Sequence, residues 1–297
     1  MSDTDVPRHE VAAALIVDKE QRLLWTWSRS WGSFGWPMTK VRPGESHGQA
    51  AERAAAEALG VPVRAGKDLD PRADLYVSDR DNAMKLYSFR VYRVEPHPHY
   101  PSPSPVGSHV WLSAADALSG DFRPLSPTCL ELTGQLVAEG QWPGRSQLTS
   151  TLVVTAGPQD DRRFLLRWNE SWGYALPAKR RGEGGDMLAA ARRVAADELG
   201  LDPSTDLRLA PAHPPTIPIR DESESAGVPT FYVHSLFRAV LAEGARPKSD
   251  APLVWVTVAD VVKGATDASR PEPGGGAARP GPVSRTVYRI LQALGEF

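Results

Sequence analysis

The sequence predicts an α+β chain built from two copies of one fold, and three observations predict it. LLWTWSRSWGSFGWPMTK (Leu23 to Lys40) is echoed by FLLRWNESWGYALPAK (Phe164 to Lys179). Each segment is preceded by an apolar run and followed by a glycine turn and an alanine-rich helix that ends in Leu-Gly. Strand-like runs rich in β-branched and aromatic residues then follow in both halves.

VAAALIV from Val11 and TLVVTA from Thr151 are apolar and strand-sized. The echoed segments each hold a strand, a Trp, a polar turn, Ser-Trp-Gly, an aromatic, then Pro and Lys. VRPGESHGQAAERAAAEALGV (Val41 to Val61) reads as a Pro-Gly-Glu turn, an alanine helix and a glycine stop. MKLYSFRVYRV (Met84) and TFYVHSLFRAV (Thr230) have strand composition. VWLSAADAL (Val110) echoes VWVTVADVV (Val254), and each copy closes on a helix, around Cys129 to Glu139 and Arg285 to Leu294. EGQWPGRSQ (Glu139 to Gln147) supplies the Gly and Pro of a junction, so the predicted domains are 1–143 and 144–297. HPHYPSPSP (His97 to Pro105) and RPEPGGGAARPGP (Arg270 to Pro282) are too rich in Pro and Gly for helix or strand and read as surface loops. His97 and His99 have no Cys or His cluster near them in sequence, so they read as solvated loop residues.

The 297 residues suit two domains of ordinary size, and 41% hydrophobic with 24% charged residues is a globular composition. Net charge is −2 and there is no extended basic stripe, which argues against nucleic acid and anionic membrane as partners. MSDTDVPRHE lacks the basic start and apolar run of a signal peptide, and no apolar stretch is long enough to span a membrane. A cytoplasmic protein is expected. Cys129, the single cysteine, cannot form an internal disulfide and reads as an ordinary buried residue. Abundant Ala, Gly and Pro, with arginine far exceeding lysine, suggest a GC-rich bacterial genome.

The turn and helix resemble the signature of the Nudix hydrolases, G-x5-E-x7-R-E-U-x-E-E-x-G-U, where U is a bulky aliphatic residue. The resemblance recurs once per half. In the first copy Glu45 takes the first Glu position, Arg53 the Arg, Glu57 the first of the paired glutamates, and Gly60 and Val61 the closing pair. Thr39 replaces the first Gly, Ala54 the Glu after Arg, and Ala58 the second of the pair. In the second copy Arg193, Asp197, Glu198, Gly200 and Leu201 match or nearly match. Lys179 replaces the first Gly, Gly185 the first Glu, and Val194 the Glu after Arg, with Glu183 two residues away as a substitute after a loop shift. The resemblance implies two tandem Nudix folds, each a mixed β-sheet sandwiched between helices. It also implies hydrolysis of a nucleoside diphosphate linked to another group, with Mg²⁺ or Mn²⁺.

A helical residue advances by about 100°, so positions 54, 57 and 58 share one face. Three carboxylates there would suit a hard cation that neutralises a diphosphate and activates water. The first copy keeps only Glu57 on that face, and the second keeps Asp197 and Glu198, which are the candidate metal ligands. Glu57, Asp197 and Glu198 are the candidate catalytic residues. Arg53 and Arg193 each precede a carboxylate by four residues and are expected to pair with Glu57 and Asp197. A helix face carrying such pairs needs no metal, and Mg²⁺ often takes only one or two protein carboxylates, so both readings stand. Lys179, Arg180 and Arg181 form a basic stretch ahead of the second helix, with Lys40 and Arg42 as the lesser counterpart. Together with Glu45, Arg53 and Arg193 they are the candidate ligand-binding residues, either holding phosphate at a helix N-terminus or making a solvated basic turn. Trp27, Trp31, Trp36, Trp168 and Trp172 are read as packing residues first and as stacking surfaces for a flat ligand second.

The expected function is a tandem Nudix-like protein that binds a nucleoside-diphosphate-like or phosphorylated small molecule, with hydrolysis lost or much reduced. One alternative is a divergent Mg-dependent hydrolase working through the C-terminal half. The other is a metal-independent enzyme of specialised metabolism on the same scaffold. An internal pseudo-dimer of the two halves is expected, and a further homodimer is compatible with it.

Overall fold

The structure is a computed structural model that describes residues 6–77, 84–97, 99, 105–122, 124–158, 161–181, 186–223, 228–266, 275–276 and 280–297. The predicted loops at 97–105 and 270–282 lie largely outside the described residues, as do Glu183 and Gly185. The chain divides into two units, one of Met1–Ser146 with Arg220–Phe231, the other of Gln147–Ile219 with Tyr232–Phe297.

In the first unit the chain runs through β1 (Arg8–Ile16), β2 (Leu23–Ser28), β3 (Ser33–Gly35), β4 (Met38–Lys40), α1 (His47–Leu59), β5 (Val63–Val77), β6 (Met84–Pro96), β7 (His109–Leu112), α2 (Ala114–Ser119) and α3 (Pro127–Ala138). Its strands form a mixed sheet in the order β4-β1-β6-β5 and a second sheet in the order β3-β2-β7. β1 runs parallel to β6 and antiparallel to β4. The alternation of β1 is incomplete because Val11 to Ile16 are all buried, as befits a central strand covered on both faces.

The second unit continues with β8 (Ser146–Ala156), β9 (Arg163–Asn169), β10 (Gly173–Ala175), β11 (Ala178–Arg180), α4 (Met187–Leu199), β12 (Leu207–Ser223), β13 (Val228–Leu241), β14 (Ser249–Thr257), α5 (Val258–Lys263) and α6 (Arg285–Ala293). Here β11 pairs with β8, which neighbours β13 and then β12, while β10 pairs with β9, which pairs with β14. Matching β1 to β8, β2 to β9 and so on through β7 and β14, the strand order of the second unit is that of the first. Unlike the first unit, β8 and β9 are also paired, through Thr155 and Phe164, so that its strands form one continuous sheet.

Both long helices owe their position to alanine. α1 buries Ala50, Ala51, Ala54, Ala55 and Leu59, and α4 buries Ala190, Ala191, Val194, Ala195 and Leu199. Small side chains at this spacing let the helix axis approach the sheet closely. Ser46 caps α1 in a capping box with Gln49, and Asp186 caps α4 by accepting from the amides of Leu188 and Ala189. Each helix is stopped by a glycine in the left-handed region, Gly60 and Gly200. At Gly200 a Cβ would also lie 2.8 Å from the Lys248 carbonyl oxygen, so no other residue fits without a shift. Glu52 of α1 accepts the Ala65 amide of β5 at 2.9 Å, tying the helix to the strand that follows.

Cys129 is fully buried and its Sγ accepts the Trp36 amide at 3.2 Å. Its role is packing. Trp25 and Trp36 are buried with their rings 6.0 Å apart, and Trp168 packs edge-on against Tyr174 at the second core. Trp27 and Trp31 are exposed. No helix among the described residues is long and apolar enough to cross a membrane.

One buried group makes the second unit sensitive to acid. His234 of β13 lies 2.9 Å through Nδ1 from the Thr151 hydroxyl of β8, and burial pushes its pKa down to about 4. The folded protein keeps this imidazole neutral while the unfolded chain protonates it near its ordinary value of 6.5. Stability therefore rises with pH between those values, by on the order of 1 kcal/mol per pH unit from this group. Thermal unfolding from pH 7 to pH 4 should show that dependence, and His234→Gln should flatten it.

Candidate functional site

The site is best built from the first box position. In the first unit Thr39 stands opposite Ala12 in the β4–β1 pair, and in the second Lys179 stands opposite Ser150 in the β11–β8 pair. Directly opposed residues of an antiparallel pair share a face. Thr39 and Lys179 both reach the helix that covers that face, as their bonds to Arg53 and Asp197 show.

In the first unit they meet a latch. The Arg53 guanidinium donates through Nε to Glu45 Oε1 at 2.9 Å and through Nη2 to Glu45 Oε2 at 2.8 Å, a bidentate pair. Nη1 donates to Thr39 Oγ1 at 3.0 Å and Nη2 to the Lys40 carbonyl at 3.2 Å. The Arg42 amide also donates to Glu45 Oε2, at 2.9 Å. These bonds, the Arg53 pair foremost, hold the Glu45 carboxyl at about 2, far below its ordinary 4.5, and raise Arg53 in return. The expected pairing of Arg53 with Glu57 is corrected here: the Pro-Gly-Glu turn folds back and delivers a carboxylate in bidentate geometry, which one helical turn cannot match. Glu57 is exposed and its carboxylate makes no hydrogen bond or ion pair with a described residue. Ala54 is 5% exposed, packed into the core where the family pattern has a carboxylate.

Lys40 and Arg42 are both exposed. Lys40 Nζ lies 3.4 Å from His9 Nδ1. His9, on β1, has a lowered pKa, through burial first and then through the nearby cations Lys40 and Lys85.

In the second unit the described residues of this place form a charge cluster. Lys179 Nζ lies 2.7 Å from Asp197 Oδ2 and 3.6 Å from Glu198 Oε1. Arg167 of β9 reaches Glu198 Oε2 through Nη1 at 3.0 Å and donates through Nε to Ser249 at 3.0 Å. Asp197 is 49% exposed at its side chain and Glu198 only 14%. The hydrogen bond to Asp197 raises the Lys179 pKa. Arg193 is exposed and makes no hydrogen bond or ion pair with a described residue, so the expected Arg193–Asp197 pair is also corrected. Lys179 reaches across from the strand and takes Asp197 first.

The basic stretch before α4 does not present its charges together. Strand alternation sends Lys179 toward the helix and leaves Arg180 exposed, while Arg181, just past the end of β11, is buried and donates to Ser235 Oγ at 3.0 Å. Arg167 was not a candidate from the sequence. Its signal was the strand before the polar turn, where it stands at the place of Thr26: Thr26 pairs with Gly35 and Arg167 with Ala175.

The residues do not fit the Mg²⁺ or Mn²⁺ that the family resemblance implies. The first unit offers Glu57 with alanine at 54 and 58. In the second, both carboxylates are already held by cations of the chain itself. Among the described residues no group of three or more His, Cys, Asp or Glu side chains is placed to hold a metal ion.

Residues 7–132 match the family model described as NUDIX domain. The match lies in the first unit and contains Glu45, Arg53 and Glu57. No curated protein matches the chain. Solved structures similar to it include a MutT protein from Methanosarcina mazei Go1, at 19% identity over 46% of this chain and 98% of that one, with a TM-score of 0.35. The NUDIX domain of Shewanella oneidensis NrtR, complexed with ADP ribose, is 14% identical over 53% and 90%, also at 0.35. An Ap4A hydrolase of C. elegans, in a binary complex, is 16% identical over 39% and 84%, at 0.30.

The latch can be tested through acid. A carboxyl held at about 2 contributes stability that is full above its ordinary value of 4.5 and is lost as pH falls toward 2. Glu45→Gln should therefore lower the unfolding midpoint at pH 7, and the wild-type and variant curves should converge as the pH falls through about 2. Parallel curves across that range would remove the latch from the account.

Proposed function

We propose that the chain is a tandem of two Nudix folds, residues 1–143 and 144–297, that binds a nucleoside-diphosphate-like or phosphorylated small molecule with hydrolysis lost or much reduced. The tandem reading is supported by the shared strand order of the two units and by the repeated box register. One observation carries the functional reading. The Glu45–Arg53 latch that shapes the box turn is intact, while the metal-ligand positions beside it are Ala54 and Ala58. The framework is kept and the catalytic charge is not.

The loss is large in kinetic terms. Removing one preorganised electrostatic group costs roughly 10²–10³ in rate, and removing metal ligands costs more because the metal goes with them. Binding survives such a loss, since phosphate recognition needs only cations and amides. Lys40 and Arg42, exposed at the box turn, are the candidate phosphate contacts in the first unit. Arg180 is the exposed cation of the corresponding stretch in the second. In this reading Glu57, Asp197 and Glu198 have no catalytic role.

The test uses the full chain with ADP-ribose, a nucleoside diphosphate linked to another group. Its unfolding midpoint should rise with ADP-ribose in the presence of EDTA. At about 100-fold excess over Kd the stabilisation is ~2.7 kcal/mol. Lys40→Ala with Arg42→Ala should reduce it, and release of AMP with Mg²⁺ or Mn²⁺ should stay at background. Metal-dependent turnover that Glu198→Gln abolishes would establish the C-terminal half as a working hydrolase instead.

A further inference from the structure

We infer that Lys179 is a built-in cation that closes the Asp197–Glu198 pair to divalent metal, so that the second unit is metal-independent whatever it binds. Its ammonium stands between the two carboxylates, 2.7 Å from Asp197 Oδ2 and 3.6 Å from Glu198 Oε1. Arg167 takes Glu198 Oε2 at 3.0 Å, so three of the four carboxylate oxygens face a cation of the chain. The two cations and two carboxylates sum to zero charge. A divalent ion arriving there would meet no net attraction and would be repelled by an ammonium already at the oxygens it needs.

Comparison of the two units supports the assignment independently of the distances. Lys179 occupies the register position of Thr39, Arg167 that of Thr26, and Glu198 that of Ala58. The carboxylate and both of its cations are present together in one unit, and all three are absent together from the other. A solvated surface acid would need neither partner, and Glu198 is 14% exposed. A half-buried carboxylate without its cations would carry the desolvation cost uncompensated. The box glycine that Lys179 replaces has no side chain, so the family pattern leaves open the space that the ammonium fills here.

The inference concerns the carboxylates alone and does not require that any ligand bind. Mn²⁺ uptake by the full chain, followed by water-proton relaxation with no nucleotide present, tests it. Wild type should show no stoichiometric uptake at Asp197 and Glu198. Lys179→Gly and Lys179→Gln should each take up one Mn²⁺, at least about tenfold more tightly than wild type. Adding Asp197→Asn and Glu198→Gln to either variant should abolish the gain. Glycine weakens a strand, so the Gln variant decides if the Gly variant unfolds early. Wild-type uptake that Asp197→Asn with Glu198→Gln removes would overturn the inference. So would a Lys179→Gln protein that melts like wild type and binds Mn²⁺ no better.

Discussion

The close seating of an alanine-faced helix on a mixed sheet is the constraint on which each candidate site depends. Ala50, Ala51, Ala54 and Ala55 in the first unit, and Ala190, Ala191 and Ala195 in the second, remove the bulk that would hold helix and strand apart. The side chain at the first box position on the neighbouring strand is then within hydrogen-bond reach of the helix. Thr39 uses that reach to fix Arg53, and Lys179 uses it to fix Asp197. The same alanines that seat α1 also occupy a metal-ligand position, because Ala54 is part of the buried face. In the first unit one residue, Ala54, serves the packing and stands where the family pattern has a carboxylate.

The two units handle charge differently on a common frame. The first keeps the bidentate pair of Glu45 and Arg53, whose geometry and four guanidinium bonds hold the box turn against the helix. Glu57, the carboxylate that remains on the box face of α1, is exposed to solvent. The second keeps the carboxylates, and its box arginine, Arg193, is exposed and pairs with no described residue. Order is supplied instead by Lys179 and Arg167, which approach from two strands. A metal-bearing version of this frame would place a divalent ion where the second unit has an ammonium and the first has only water-exposed Glu57.

Much of this was legible in the sequence. The sequence repeat, the order of its motifs along the chain, the helix limits at Leu59–Gly60 and Leu199–Gly200 and the alanines at 54 and 58 follow from spacing and side-chain type. The partners of charged groups did not. Arg53 and Arg193 were assigned to carboxylates four residues on, since an isolated helix offers nothing nearer. In the folded chain a turn brings Glu45 to Arg53 from eight residues before it, and a strand brings Lys179 to Asp197 from eighteen before it. Arg181 reads as one of three clustered cations, but on the strand Arg180 faces away from Lys179, and Arg181, past the strand's end, is buried against Ser235. Arg167 was invisible because its partner lies on another element, and only the register of its hairpin against Thr26 and Gly35 marks its position.

The position of the carboxylates along the helix explains why cations are needed at all. Asp197 and Glu198 lie in the last turn of α4, just before Gly200, where unpaired carbonyls make the helix end negative. Acidic side chains there are repelled by the helix and by each other. Exposure answers this for Glu57 in the equivalent turn of α1, since water screens the charge and Ala58 removes the neighbour. Glu198 cannot use that answer because it is largely covered. A cation must lie beside it, and the source of that cation decides the chemistry. A divalent ion drawn from solution would leave the carboxylates competent to organise water and phosphate. An ammonium on the chain satisfies the same electrostatic demand permanently and leaves no open coordination position. Lys179 in place of the box glycine thus meets, from within the chain, the electrostatic demand of two acidic residues at a helix C-terminus.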